Sequence, residues 1–578
     1  FNDNFSMTYR LGLDTYSELQ EILYNKGGAT SDLATRNGYY RTVNINNTVW
    51  NQDLILNWKK DLSEKIGMSA LLGANSRFDS YIQSGVASQG QLAFGLFRHS
   101  NFSQSSSNDA YSGGTLNYGV DERRYGVYTN VTLDYSDYLF LNLSARNDWT
   151  STVEAENRSI LYPGGSLSFI PTTAFDWKSA TVNDLKFRLG YGTSAGYPSP
   201  YNTRNVLAQS ARAFDVGGAV TTTHSVSNTL GNPNLTPELH GELEFGVEGV
   251  MFNNKLRFDV SLFDKSTRDL ITQAPIDPAT GFTSTAINIG KIRTRGAEFQ
   301  ATVTPVSTAS GFEWNSTINW STYRTEVVEL GGGLEEVVVA GFTDLGNFAV
   351  PGQPFNIIKG TGFDRDPATG KPIILSSGLH KPTNEPVVLG DPNPAWTGSF
   401  INSFTYKGFT LSAMMEYRHK GVIYSNTVTA TLARGVTKDP EADREMTFIM
   451  PGVRQDGTNA DGTPRYIPND RQISAADYFF SGYQGATDEP NVFDGSMVRL
   501  REVSLAYNLP NSLMAKTPFK RASFAVSGTN LWFLALNFPP NMNFDTDVLG
   551  TGVGNGLGFD FVTGPSSRRL GGTLTLTF

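Results

Sequence analysis

The chain offers little with which to make or break a bond. Its five histidines, His99, His224, His240, His380 and His419, are scattered through expected loops and strand ends, and no two share the i, i+4 spacing that sets a metal-binding pair on one helix face. Cysteine is absent, which removes thiolate catalysis, disulfides and Cys-type zinc sites together. A lipase embedded in a membrane needs a serine and a histidine aligned along a lipid-facing wall, and no such pair is visible. We therefore expect no enzyme, no catalytic residue and no cofactor. The segment GTNADG, Gly457 to Gly462, has the flavour of a calcium loop, but Gly457 stands at the first ligand position and Pro468 at the twelfth, where a bidentate Glu belongs. A turn is the expectation there. Asp364 and Asp366 sit in DRDPATG, where Pro367 and Gly370 indicate a hairpin tip, calcium ligation being the alternative. No metal is expected.

Aromatic residues carry the remaining chemistry, which is stacking. Tyr478, Phe479, Phe480 and Tyr483 form one group, and Trp532, Phe533 and Phe538 another, at or beyond expected strand ends. Rings at such places form the interfacial girdle of a membrane barrel or pack a loop. The competing reading is a platform for a sugar ring or a contact with a partner lid. Acidic and amide side chains at alternate positions, Glu242, Glu244 and Glu248 or Glu298 and Gln300, are expected to line a polar interior.

The elements that must position these groups are strands. From Tyr125 to Trp149, Val127, Val131, Leu133 and Tyr135 alternate with polar partners, Ser136 and Asp137 turn the chain, and Leu139, Leu141 and Leu143 alternate with Asn142, Ser144 and Arg146. The design recurs around the Asn253 and Asn254 turn and around Lys407 and Gly408. Further stretches of the same kind begin near Phe5, Tyr39, Lys65, Ser159, Asp184, Asn288, Phe312, Ser496 and Ala522. The total is about sixteen strands, each near or above the length needed to cross a bilayer at a tilt. In the strand from Ser496 the apolar phase slips between Leu500 and Val503, so Arg501 and Glu502 mark a bulge. The chain ends LGGTLTLTF, with Leu574, Leu576 and Phe578 on one face against threonines on the other, the form of a closing strand that serves as an insertion signal for an outer-membrane barrel. Connections alternate between short turns, near Leu62, Ser136, Asn253, Ser310, Lys407 and Asn511, and long segments such as 331–393 and 421–494. Short periplasmic turns and long extracellular loops give that alternation.

Composition agrees. Charged residues make up 17% and apolar residues 39% of the chain, and glycine, phenylalanine and tyrosine are abundant, as suits a wall with one lipid face and one polar face. No apolar run is long enough for a helical span, so any membrane crossing uses a closed sheet. A net charge of −9 with no basic cluster argues against nucleic acid as a partner. No linker or low-complexity tract divides the chain. Phe1 opens almost directly in a strand-like stretch, so a piece of a longer protein is expected.

Several segments in order resemble the SusC/RagA family of TonB-dependent outer-membrane transporters of the Bacteroidota: YPGGSLSFI from Tyr162, GNPNLTPE from Gly231, FNNKLRFDVSLFDKSTRDLI from Phe252, NIGKIRTRGAEF from Asn288, DRDPATGKPI from Asp364, DGSMVRLREVSLAYNLP from Asp494, SGTNLWFL from Ser527 and the terminal strand. The resemblance implies an all-β fold, a transmembrane antiparallel β-barrel of roughly 22 strands closed by a plug, of which residues 1–578 supply the carboxy-terminal part without plug or first strands. It implies import of an oligosaccharide or peptide, with a SusD-like surface lipoprotein, the TonB complex and outer-membrane lipid as partners. A barrel serving as a scaffold subunit of a larger outer-membrane assembly is the alternative, and a soluble β-rich adhesin or carbohydrate-binding protein is a third.

Overall fold

The computed structural model describes residues 3–28, 36–109, 114–177, 179–216, 219–288, 290–331, 333–438, 444–483, 487–539, 541–547, 556–564 and 566–578. Its principal sheet has nineteen strands. Three are short additions, Phe102–Ser106, Val422–Ser425 and Phe559–Asp560, and the rest form a meander. We number the meander β1 (Phe5–Tyr24), β2 (Tyr39–Ser63), β3 (Ile66–Gln91), β4 (Tyr118–Tyr135), β5 (Leu139–Thr150), β6 (Ser159–Phe169), β7 (Val182–Gly196), β8 (Glu238–Met251), β9 (Leu256–Arg268), β10 (Lys291–Ser307), β11 (Glu313–Glu329), β12 (Trp396–Tyr406), β13 (Phe409–His419), β14 (Val492–Asn508), β15 (Arg521–Asn537) and β16 (Arg569–Thr577). Each strand bonds to its neighbours in sequence, antiparallel from β1 to β5 and again from β9 to β16. Among the described residues β1 pairs with β2 alone and β16 with β15 alone.

The tight turns follow from local chemistry. Ser136 and Asp137 have φ of 51° and 59°, and Lys407 and Gly408 have 45° and 89°. Positive φ at both central residues is the type I′ turn, whose twist matches that of the strands it joins. On the opposite side the connections are longer and carry structure of their own. A four-stranded sheet joins Val337–Gly341, Gly346–Ala349, Ile357–Gly360 and Val387–Gly390, and two helices, α1 (Asn426–Ala433) and α2 (Ala475–Tyr483), lie between β13 and β14.

The two faces of the meander differ. On β1, Phe5, Met7, Tyr9, Leu11 and Leu13 stand exposed at every second position, as do Phe524 and Val526 on β15. Leu574 on β16 sits in register with Phe524, and Thr575 with Ser523, so the leucine belongs to the apolar face. An apolar band of this extent is a liability in water and a favourable surface in hydrocarbon, where the ladder already satisfies the backbone.

The strands outrun their sequence signal. The sequence places a long connection over 82–121, yet β3 continues to Gln91. Past the apolar band there is no lipid to demand alternation, and β2 and β3 instead bury Tyr39, Val43, Ile45 and Ala87 with Leu116 in a local core.

By contact density the chain divides into two compact units: residues 1–167, 190–241 and 269–288, and residues 168–189, 242–268 and 289–578. The second unit contains the core of Ile358, Tyr424 and Phe559, which welds three connections together. Asn347, wholly buried there, donates to the carbonyls of Asn356 and Leu557 and accepts from the Leu557 N–H.

Candidate functional site

Within the second unit the polar face carries a cavity of about 740 Å³. Strand register builds its wall as two parallel rungs. One runs through Asp259, Gln300, Asn319, Ser399, Glu416 and Arg499, and the other through Ser261, Glu298, Ser321, Thr397, Arg418 and Met497, each residue directly opposite the next across β9 to β14. Neighbouring strands lie about 4.8 Å apart, so amides and hydroxyls along a rung can bond sideways. Gln300 Nε2 donates to Asn319 Oδ1 at 2.8 Å, Asn319 Nδ2 to Ser399 Oγ at 3.0 Å, and Ser321 and Thr397 share a hydroxyl bond of 2.9 Å.

At one end stands Arg188, from β7. Its guanidinium donates twice to Asp259 on β9, at 2.8 Å each, and to Glu248 and Ser261 at 2.5 Å and Glu244 at 3.2 Å. To reach β9 it crosses β8 over Gly246, where a Cβ would stand 2.3 Å from Arg188 Nε. Glu244 and Glu248 share that face with Gly246, so the sequence EFGVE leaves a gap between two acids for one arginine. Tyr128 crosses Gly73 on β3 in the same way, on its path toward Asp53.

The other end is made by a bulge. On β13, Met414 faces Glu502 and Met415 faces Leu500, so Arg501 is the extra residue of β14. Across from it, Leu500 faces Trp532 and Glu502 faces Thr529, and Asn530 takes φ of 52°. A bulge re-aims the side chain it carries. Arg501 donates from Nε to Glu416 at 2.6 Å, from Nη1 to Asn530 at 2.9 Å and from Nη2 to Asp547 at 2.5 Å. Asp547 also accepts from Arg499 Nη1 at 2.6 Å, and the other Arg499 nitrogen bonds Asp545. The side chains of Arg499 and Asp545 are only 2% and 5% exposed. Breaking a buried pair from one side leaves an uncompensated charge, so this contact fixes the 541–547 segment to the wall.

The interior acids expected from sequence fall on this polar face: Glu244, Glu298 and Gln300 line the cavity, and Glu248 completes the Arg188 cluster. Glu242 is half-buried outside the cavity lining. The expected bulge lies at Arg501, as the phase slip indicated. The sequence pattern did not single out Arg188 and Arg499, although Lys186 and Arg188 alternating with Phe187 and Leu189 was a usable signal. Nothing local marked Asp545 and Asp547.

The aromatic candidates do not form one exposed platform. Tyr478, on α2, packs with Phe448 beside Ile374, Met450 and Ile473. Phe479 packs against the core of Ile423, Val428 and Leu432, where Phe538 is buried and stacked on Phe493 and Phe544. These three rings are used inside the connections. Phe480 is exposed, and the side chain of Tyr483 lies outside the described residues. Trp532 is exposed on the same face as Leu534 and Leu536, while Phe533 is turned the other way, its ring under the Arg499 guanidinium at 5.9 Å.

Both candidate calcium segments are turns. Asp366 accepts from the Ala368 N–H at 3.1 Å and from the Thr369 hydroxyl at 2.5 Å, and Asp364 pairs with Lys381 at 2.6 Å. Gly457 and Gly462, both with positive φ, lie in the hairpin that pairs Val453–Thr458 with Pro464–Pro468. Among the described residues no group of three or more His, Asp or Glu is disposed to hold a metal ion.

Comparison with known proteins gives the family and the fold. The family described as TonB-dependent receptor-like, β-barrel, matches residues 1–437. TonB-dependent receptor P26 of Formosa agariphila is 28% identical over 98% of this chain and 56% of its own length. TonB-dependent receptor P3 of the same organism is 26% identical over 78% of this chain and 45% of its own length. The chain thus spans about half the length of the curated relatives it matches. In structure it is similar to the RagAB peptide transporter, with a TM-score of 0.73 at 18% identity, over 100% of this chain and 60% of that one.

Proposed function

The chain belongs to the TonB-dependent receptor-like β-barrel family of the outer membrane, and from that premise we propose that it forms the carboxy-terminal part of a transporter that imports an oligomeric nutrient, an oligosaccharide or a peptide. The observation that carries the reading is the two-rung polar wall. Such a wall serves a water-soluble oligomer, because each hydrogen bond the ligand loses to water can be replaced by an amide, hydroxyl or charged group at strand spacing, at small net cost. Transport needs no bond to be made or broken. Energy comes from the TonB complex, and a SusD-like lipoprotein holds the ligand against the long connections before entry.

The likeness in fold to a peptide transporter supports a peptide as one of the two ligand classes. Exposed rings on the connection side, Phe480 among them, are candidates for contact with the ligand or the lipoprotein. The test is mass spectrometry of the intact protein extracted in detergent from native outer membranes. A stoichiometric lipoprotein partner is expected. Recovery with only a set of unrelated envelope proteins would favour a scaffold subunit instead.

A further inference from the structure

We propose that the Arg501 end of the cavity is a carboxylate site, held in this structure by Asp547 as an internal stand-in for the carboxylate of the ligand. The inference rests on the import reading and specifies the chemistry its cavity selects.

Four observations carry it. First, of the described residues lining the cavity, Asp547 alone comes from a connection; the others lie on strands β7 to β14, whose ladder bonds fix their backbones. Second, its carboxylate bridges two guanidinium groups, Arg499 at 2.6 Å and Arg501 at 2.5 Å, yet its side chain is 40% exposed. Asp545 next to it is 5% exposed and keeps Arg499 paired when Asp547 leaves. Third, Arg418, one position along the same wall, forms no ion pair among the described residues. Its Nη2 and Nε donate only to the carbonyls of Pro392, at 2.9 Å, and Lys420, at 3.3 Å. Fourth, Arg501 is the extra residue of the β14 bulge, and β15 accommodates it with Asn530 in the left-handed region. Such departures from regular strand geometry concentrate where a side chain is being aimed.

Arg499 Nη1 and Arg501 Nη2 converge on one carboxylate oxygen of Asp547, so the two guanidinium groups together offer charge-assisted hydrogen bonds to a carboxylate at that place. Exchange of Asp547 for a ligand carboxylate leaves the local charge balance unchanged, so no buried cation is uncovered. It also frees Asp547, coupling occupancy of the cavity to the anchoring of the 541–547 segment.

The experiment uses the full-length protein in detergent and calorimetric titration with two matched pairs: a short peptide with free or amidated carboxy-terminus, and an oligogalacturonate against its neutral galactose counterpart. We expect the carboxylate member of one pair to bind about tenfold more tightly than its neutral match, and the responding pair identifies the source of the carboxylate. Arg501→Gln should abolish that preference. Asp547→Asn, which removes the internal competitor, should strengthen the carboxylate ligand severalfold and leave the neutral one unchanged. The opposite signs of the two variants separate the effect from misfolding. Absence of any carboxylate preference, or a preference that survives in Arg501→Gln, overturns the inference. Energised uptake of a neutral member in cells would then leave the import reading standing.

Discussion

At the scale of single residues, burial decides which charges matter. Surface ion pairs such as Arg204 with Glu154, at 2.7 Å, are screened by solvent. Arg499 and Asp545 are not. Removing one member of a buried pair costs about 3–5 kcal/mol, so Asp545→Ala should lower the thermal midpoint clearly, whereas Glu154→Ala should leave it nearly unchanged. Similar losses from both, measured by circular dichroism in detergent, would contradict the burial argument. His380 gives a pH-dependent counterpart in the connection between β11 and β12. Its ring stacks on Phe363 at 3.8 Å, and burial holds its pKa below the ordinary 6.5, with Glu489 opposing and Arg365 adding to the shift. The unfolded segment therefore binds more protons than the folded one once pH falls below about 6.5. Protection of residues 361–383 against hydrogen exchange, after correction for the intrinsic pH dependence of exchange, should be constant above that pH and fall below it. His380→Phe should remove the fall. A rise in protection on acidification would have the wrong sign.

At the scale of elements, the face assignment of the terminal strand can be tested directly. Leu574 shares the apolar face with Phe524, and Thr575 faces the other way with Ser523. Arginine on a lipid face costs about 2–4 kcal/mol near the midplane and less toward the interface. Leu574→Arg should reduce the amount of folded protein in the membrane, and Thr575→Arg should not; equal levels would contradict the assignment. The strands themselves were legible because lipid imposes strict alternation, and the meander and the Arg501 bulge could be read from the apolar phase alone. The outer ends of β2 and β3, and the small sheet and helices of the connections, were not. Their side chains pack in local cores such as Ile358 with Tyr424 and Phe559, and local packing has no fixed period. The cavity was half legible. Glu244, Glu298 and Gln300 followed from alternation, but the Asp547 contact joins positions far apart in sequence. The buried places of Tyr478, Phe479 and Phe538 were hidden for the same reason, since an aromatic in a connection has one composition whether it packs inward or presents its ring.

At the scale of the molecule, a wall with one apolar face and one polar face places the chain in the outer membrane with its family, and the cavity on the polar face is what an importer can use. The most direct measurement is uptake. In cells producing the full-length protein as their sole copy, labelled oligosaccharide and peptide pools should enter the periplasm, and entry should stop when the gene is deleted or TonB is removed. Loss of uptake and growth on at least one such pool is expected under both conditions. Unchanged uptake and growth on every glycan and peptide pool after deletion would contradict it.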